Sequence, residues 1–364
     1  MARPRYSTTM SVTYAESLER LSRWSEAGDA WKAEAERASK AGAAEVAAEA
    51  ATRAADAYRR DDRPAATARA IRFALEHRAA TVRDAALLAA ALGEAGELEA
   101  AADIASAAVD GAADEPTRVL ALDVAVGTAL SCGRVVVARN YCAELARSPL
   151  PGALLATAFR ESQLARLDGD LRRALAGWRA LIGRLAPHPA AAGAVAAAYM
   201  EIGETQVLRV ALRERGIAWY QQADGDEVVD TAETEACFAA AGQAWARAGR
   251  RSGLFRAEAW RLRLRSAEAT IGTPVDSALG YAEERGLVGM AAELRCLRAV
   301  IRRNPLDALH AVELLAQAPL ARGRARVLAA ELGAAINTVA AEQELLPDLP
   351  WRERFRHLLV ATPD

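Results

Sequence analysis

The sequence predicts an all-α fold: an α-solenoid, a right-handed superhelix of about eight to nine stacked helix hairpins closed by a C-terminal capping helix. Three observations carry this reading. The composition favours helix, with 52% hydrophobic and 26% charged residues, roughly a quarter alanine, 5% aromatics and 13 prolines. Alanine, leucine, arginine and glutamate are the strongest helix formers, and few β-branched runs are present to build a sheet. Turns centred on glycine recur at a nearly constant step, and the side chains around those turns recur with them. At 364 residues the chain has the length of two or three globular domains of about 100–200 residues or of one extended array, and the recurrence selects the array.

The turns fall at Gly28, Asp62, Gly96, Gly133, Gly169, Gly203, Gly249, Gly286 and Gly323. Seven of the eight steps between them are 34 to 37 residues, and the step from Gly203 to Gly249 is 46. Four residues before successive turns stand Trp24, Tyr58, Leu92, Ala129, Ala165, Tyr199, Trp245 and Ala282. Five residues after them stand Ala33, Thr67, Ala101, Ala138, Ala174, Leu208, Leu254 and Ala291. Small residues here let the two helices of a hairpin approach closely, and larger ones fill the space between hairpins. Pro116, Pro149, Pro151, Pro187 and Pro305 are read as closing repeats, because proline cannot continue a helix.

This pattern resembles the tetratricopeptide repeat, a 34-residue pair of antiparallel helices, over about residues 15 to 332. The match is degenerate, since no unit carries the family's full set of signature residues. Another α-hairpin solenoid and an alanine-rich helical bundle are the alternatives. The Gly323 unit is the weakest because Pro319 occupies its Tyr-like position. The domain reading is a tail over residues 1–14, the repeat array over 15–335 and a capping segment over 336–364. In that last segment Trp351, Phe355, Leu358 and Leu359 form the apolar side of a short helix that covers the final repeat.

The long step contains an acidic insertion near residues 221–235, bearing Asp224, Asp226, Glu227, Asp230, Glu233 and Glu235 with no cation among them. Seven arginines follow between Arg247 and Arg265, Arg256 and Arg261 among them, against Glu258 alone. Two readings apply to the acidic stretch: an exposed loop, or a partner-binding loop. The arginines are read as a solvated helix face with their stems packed down, as a site for an acidic peptide or phosphate-bearing ligand, or as a nucleic-acid contact. A further expectation joins the two blocks, with Asp224, Asp226, Glu227 and Asp230 lying over or beside Arg256, Arg261 and Arg265 until an anionic partner competes for them.

No catalytic or cofactor constellation is legible. Phosphate cradles of the G-x-x-x-x-G-K or G-x-G-x-x-G kind do not occur, and His77, His188, His310 and His357 are isolated from one another. Zinc sites need paired Cys/His spacings, and the acidic stretch lacks the residue order of an EF-hand. The chain is therefore expected to be non-enzymatic, with no cofactor and no metal. The four cysteines show no C-x-x-C spacing, as expected of reduced thiols in a cytosolic protein, and Cys142 is read as a packing residue. Met1–Glu16 has no apolar core, and no 18 apolar residues run together, so a soluble, cytoplasmic protein without a membrane partner is expected. A net charge of −2 lacks the basic balance expected of a dedicated nucleic-acid binder, and no nucleic-acid partner is expected. Only Lys32 and Lys40 are lysines, an arginine bias attributed to a GC-rich bacterial genome.

The resemblance implies a protein-interaction scaffold whose first helices line a concave groove that binds a peptide or helix of another protein. Carried over by register, the groove positions are Asp56, Arg59, Arg60, Arg83, Asp123, Phe159, Gln163, Arg166, Gln243 and Arg247, with Glu283 and Glu284. Arg59, Arg60 and Arg83 together would hold an acidic or C-terminal carboxylate segment. The family's clamp for chaperone tails needs asparagines at fixed groove positions, and Asn140, Asn304 and Asn337 are not there. Two alternatives are a regulator that senses a signalling peptide or small ligand, and an activating subunit of an enzyme encoded elsewhere.

Overall fold

The computed structural model describes residues 8–214, 231–264 and 272–302. Among them every regular element is helical. The order is α1 (Thr8–Arg20), α2 (Trp24–Lys40), α3 (Ala44–Arg60), α4 (Pro64–Leu75), α5 (Val82–Glu94), α6 (Leu98–Asp110), α7 (Glu115–Ser131), α8 (Val135–Leu145), α9 (Pro151–Leu167), α10 (Leu171–Leu185), a 3₁₀ turn (Pro189–Ala191), α11 (Ala192–Glu214), α12 (Thr231–Arg247), α13 (Arg251–Leu264), α14 (Gly272–Arg285) and α15 (Val288–Arg302). Helices adjacent in sequence pack against one another through most of this series, the arrangement of an all-α solenoid of helix hairpins. The first helix begins inside the stretch read as a tail. The Gly323 unit and the capping segment lie outside the described residues.

The chain reversals within and between hairpins are made by one local device. Ser22, Gly42, Asp62, Gly96, Gly133, Gly169 and Gly249 all have φ between 56° and 87°, the left-handed region in which a helix C-terminus reverses. After each comes a backbone N–H that reaches the carbonyl five residues earlier: Arg23 to Leu18, Ala43 to Ala38, Arg63 to Tyr58, Glu97 to Leu92, Arg134 to Ala129, Asp170 to Ala165 and Arg250 to Trp245, at 2.8 to 3.0 Å. These bonds satisfy carbonyls that the helix end would otherwise leave open. The residue four before the turn is thus the one whose carbonyl anchors it. Five residues after the turn, Ala27, Thr67, Ala101, Ala138 and Ala174 are all buried. The Gly249 hairpin differs, because Leu254 is exposed and the close approach comes from Gly253, where a Cβ would lie 2.4 Å from Trp245 Cδ2.

Two of the expected turns are corrected. Gly28 lies inside α2 and Gly203 inside α11, and neither reverses the chain. Each is a point of contact: a Cβ at Gly28 would lie 2.6 Å from Tyr58 Cε1, and one at Gly203 would lie 2.6 Å from Phe238 Cε1. The first hairpin turns at Ser22 instead, so Trp24 opens α2 and Leu18 occupies the anchoring position. Two prolines are corrected as well. Pro116 and Pro151 stand in the first turns of α7 and α9, where the missing N–H has no helical partner to lose.

A test of the Gly28 contact follows directly. Alanine normally gains about 1 kcal/mol over glycine inside a helix, but here its methyl would enter a ring that is 3% exposed and tied by its hydroxyl to Asp29. Gly28→Ala is expected to lower stability, since overpacking costs about 1–3 kcal/mol. Denaturant unfolding that shows a gain instead would refute the contact.

The chain divides into two compact units, Met1–Thr128 with Arg285–Leu287, and Ala129–Glu284 with Val288–Asp364. The first unit is cored by Trp31, Tyr58, Ile71, Leu88 and Leu92 among many alanines. The second is cored by Leu175, Trp178, Leu181, Val195 and Ile202. Alanine-rich faces bring helix axes close, and the few large side chains fill the spaces that remain. Cys142 is buried in α8, the packing duty expected of it. No described helix is long and apolar enough to cross a membrane.

Candidate functional site

In the first unit, Asp56, Arg59 and Arg60 share the exposed C-terminal end of α3. Asp56 accepts from Arg59 Nη2 at 2.6 Å and from Arg60 Nε at 3.1 Å. Arg60 also lies 4.6 Å above the Trp24 ring. Partial burial works to raise the Asp56 pKa, but the two guanidiniums prevail and hold it below the ordinary value. Arg83 does not join them. Arg83 stands exposed in the first turn of α5, on a different helix. Asp123 is half-buried in α7.

A cavity of about 250 Å³ lies between α2 and α4 with α3 as its floor. Its walls are alanines, Ala35, Ala51, Ala54, Ala66 and Ala70, together with Tyr58 and Phe73. Methyl groups on three facing helices are too short to meet across the gap, and this is what leaves it open. The Tyr58 hydroxyl donates to Asp29 Oδ1 at 2.7 Å. Burial first, and that carboxylate second, hold the Tyr58 pKa well above the usual range, so the hydroxyl stays protonated. The rim carries Asp29, Lys32, Glu36, Arg63 and Arg69. Lys32 Nζ is 3.8 Å from Glu36, and Arg63 Nε is 3.4 Å from Asp61. Arg69 is exposed and has no carboxylate partner among the described residues.

In the second unit the predicted groove residues of α9 turn inward: Phe159 and Gln163 are half-buried and Arg166 is buried. Arg160 lies over the Phe159 ring at 5.6 Å and donates to Gln163 Oε1 at 3.0 Å. Gln163 Nε2 donates to Glu201 Oε1 at 2.8 Å. Arg166, read as groove-lining, is 5% exposed. It pairs with Glu201 at 2.5 Å and lies 5.3 Å from the Trp178 ring centre. Arg256, read as part of a charged surface, is also turned in. Its Nη2 is 2.5 Å from Glu204 Oε1, and its Nε is 2.8 Å from both Glu293 oxygens. The Trp260 indole N–H donates to Glu293 as well, and its ring stacks on Phe238 at 5.8 Å. Arg166, Glu201, Glu204, Arg256 and Glu293 thus place three carboxylates and two guanidiniums inside the packing of α9, α11, α13 and α15.

Burial is the largest influence on Glu204 and pushes its pKa up to about 7. Arg256 and Arg166 work against this shift, while Glu201 adds to it. Burial raises Glu293 in the same direction. The pairing has a periodic origin: Arg256 and Glu293 stand 37 residues apart, and Arg166 and Glu201 stand 35 apart, close to one repeat. A charged residue at the same register in consecutive units meets its partner across the stacking face. That spacing, inside helices as apolar as the YMEIGETQVL stretch, is the signal that sequence reasoning passed over.

Gln243 and Arg247 are exposed on α12, and Glu283 and Glu284 are exposed on α14, where Glu283 pairs with Arg295. Arg261 bonds Glu235 at 3.1 Å and Glu258 at 3.2 Å, so the acidic block meets the arginine block at its last residue. Glu233 reaches Arg179 at 2.6 Å. Asp224, Asp226, Glu227, Asp230 and Arg265 lie outside the described residues. Among those that are described, no three His, Cys, Asp or Glu side chains converge as metal ligands do.

Consecutive hairpins closed by the same left-handed turn define a helical repeat protein. No family model matches the chain, and no curated protein matches it. Among solved structures it is similar to one described as a "circular tandem repeat protein with novel repeat topology and enhanced subunit contact surfaces", at 15% identity over 97% of this chain and 87% of that one, with a TM-score of 0.20.

Proposed function

We propose that this protein is a non-enzymatic, tetratricopeptide-like scaffold of bacterial origin, working in the cytoplasm and binding a peptide or helix of another protein. The observation that carries the reading is the repeated hairpin itself. A hairpin cannot cover its own apolar face, stacking completes the core of each unit, and the outward faces of the first helices within each unit are left to solvent. The surface residues that support it are Asp56, Arg59 and Arg60 on α3, and Gln243 and Arg247 on α12. Affinity capture from the native cells with the full chain as bait is expected to recover a discrete protein partner. A fragment of that partner should then saturate the purified chain in titration. Recovery of no protein, together with a tightly co-purifying small molecule, would replace the scaffold with a ligand-sensing repeat regulator, a reading favoured by the cavity between α2 and α4.

A further inference from the structure

We propose that the cavity between α2 and α4 is a binding site for an aromatic monocarboxylate, its ring resting on the alanine floor and its carboxylate held by Arg69. This goes beyond the scaffold reading, since the second helices α2 and α4 form its walls and none of the groove positions lines it.

Size, shape and charge each narrow the ligand. An apolar cavity of roughly 150 Å³ accepts a benzene molecule, so about 250 Å³ has room for a fused ring or for a phenyl ring with a short chain. Five alanine methyls make the floor and walls flat and shallow, suited to a planar body. Two aromatic rings border it. Tyr58 is locked by its bond to Asp29, and Phe73 is braced 4.9 Å from His77 at a 60° tilt. Rings held this way offer edge and offset contacts to a third ring. On the rim, Asp29 is occupied by Tyr58, Glu36 by Lys32, and Arg63 shares Asp61. Arg69 alone presents a guanidinium with no carboxylate of its own, and its planar fork matches a carboxylate in bidentate fashion. A dianion such as a phosphomonoester would meet the rim carboxylates Asp29 and Glu36 at close range, so the rim selects a single negative charge.

The same chemistry exists as a free acid and as the C-terminal aromatic residue of a chain. Indole-3-acetate is the probe for the first source and acetyl-Gly-Gly-Trp for the second, each titrated calorimetrically into the full-length protein. At least one is expected to saturate a single site. Indole-3-acetamide, which keeps the ring and loses the charge, and the Arg69→Gln variant should each weaken binding by about tenfold or more. Ala70→Leu, which fills the cavity from the α4 wall, should abolish it. Arg69 is exposed, so Arg69→Gln keeps the test valid even if Ala70→Leu folds poorly. Tighter binding of the tripeptide assigns the site to a chain terminus, and tighter binding of the free acid assigns it to a metabolite. The proposal is overturned if neither probe saturates, or if the amide and Arg69→Gln bind as the acid and the parent protein do. None of these changes touches Asp56, Arg59 or Arg60, so loss of this site and failure of partner capture are separate results.

Discussion

Replacing Arg256 by methionine is expected to destabilise the second unit by about 3–5 kcal/mol, the cost of removing one partner from a buried ion pair. Methionine fills nearly the same volume, so packing loss contributes little and the charge dominates. Without the guanidinium, Glu204 and Glu293, which are 2% and 1% exposed, face one another with no cation between them. Each must then remain desolvated without its guanidinium or take up a proton. At roughly 2–4 °C per kcal/mol for a domain of this size, the unfolding midpoint should fall by roughly 6–20 °C. The Arg261→Met change is the control. Its partner Glu258 is exposed and Glu235 only half-buried, and pairs that water reaches contribute about 0–1 kcal/mol. Denaturant melts of the two variants in parallel decide the matter, and equal, small losses would show that the inward pairing of Arg256 has no energetic weight.

Stability should also fall as pH rises from about 5 to 8, through the protonation of Glu204. The folded-state pKa of about 7 lies above the unfolded value of about 4.3, so between these limits the native state holds a proton that the unfolded chain has released. Stability from this group is therefore complete below about pH 4, declines as pH passes through 7, and is level above it. Glu293 shifts in the same direction and adds to the slope. The groups facing Glu204 are Arg256 on α13, Glu201 on α11 itself, Arg166 on α9 and Glu293 on α15, and the arginines keep their charge throughout. Because one pKa unit is about 1.4 kcal/mol, the whole decline is on the order of a few kcal/mol. Glu204→Gln keeps a neutral acceptor for Arg256 at every pH, so its stability curve should be flatter than that of the parent protein across this range. Parallel curves would mean that Glu204 does not titrate there. The same logic applies to Arg256→Met, whose penalty should be smaller at pH 5, where protonation relieves the orphaned carboxylates, than at pH 8.

The hairpin turns show how far local information reaches. At Gly96, Gly133, Gly169, Gly249 and Gly286 the sequence marks the reversal correctly, because a left-handed φ is a property of one residue and glycine meets it without strain. Asp62 was legible as well, through its place in the series. Ser22 and Gly42 escaped. Serine is an uncommon occupant of that conformation, and Gly42 lies between hairpins, off the expected period. Gly28 and Gly203 fail for the opposite reason, since there glycine serves a helix from another part of the chain by leaving room for the rings of Tyr58 and Phe238. A glycine required for its φ and a glycine required for its missing Cβ look identical in sequence.

The candidate sites divide along the same line. Asp56, Arg59 and Arg60 were expected on the surface and are found there, because i, i+3 and i, i+4 neighbours on one helix need no tertiary partner to meet. Arg166 and Arg256 were expected on the surface and are inside. On a helix one residue turns the side chain by about 100°, and only stacking decides which face is covered. Their partners stand one repeat away, so the cluster exists once hairpins are superposed and not before. The cavity between α2 and α4 left no trace in the sequence at all, as it is made by five alanines on three helices in a chain where alanine is everywhere. Composition and periodicity determined that this protein is a series of helix hairpins, because helix propensity and turn geometry are local. Which charges are buried and where space is left open were decided by how the hairpins stack, since burial and voids are properties of pairs of surfaces and not of any one segment.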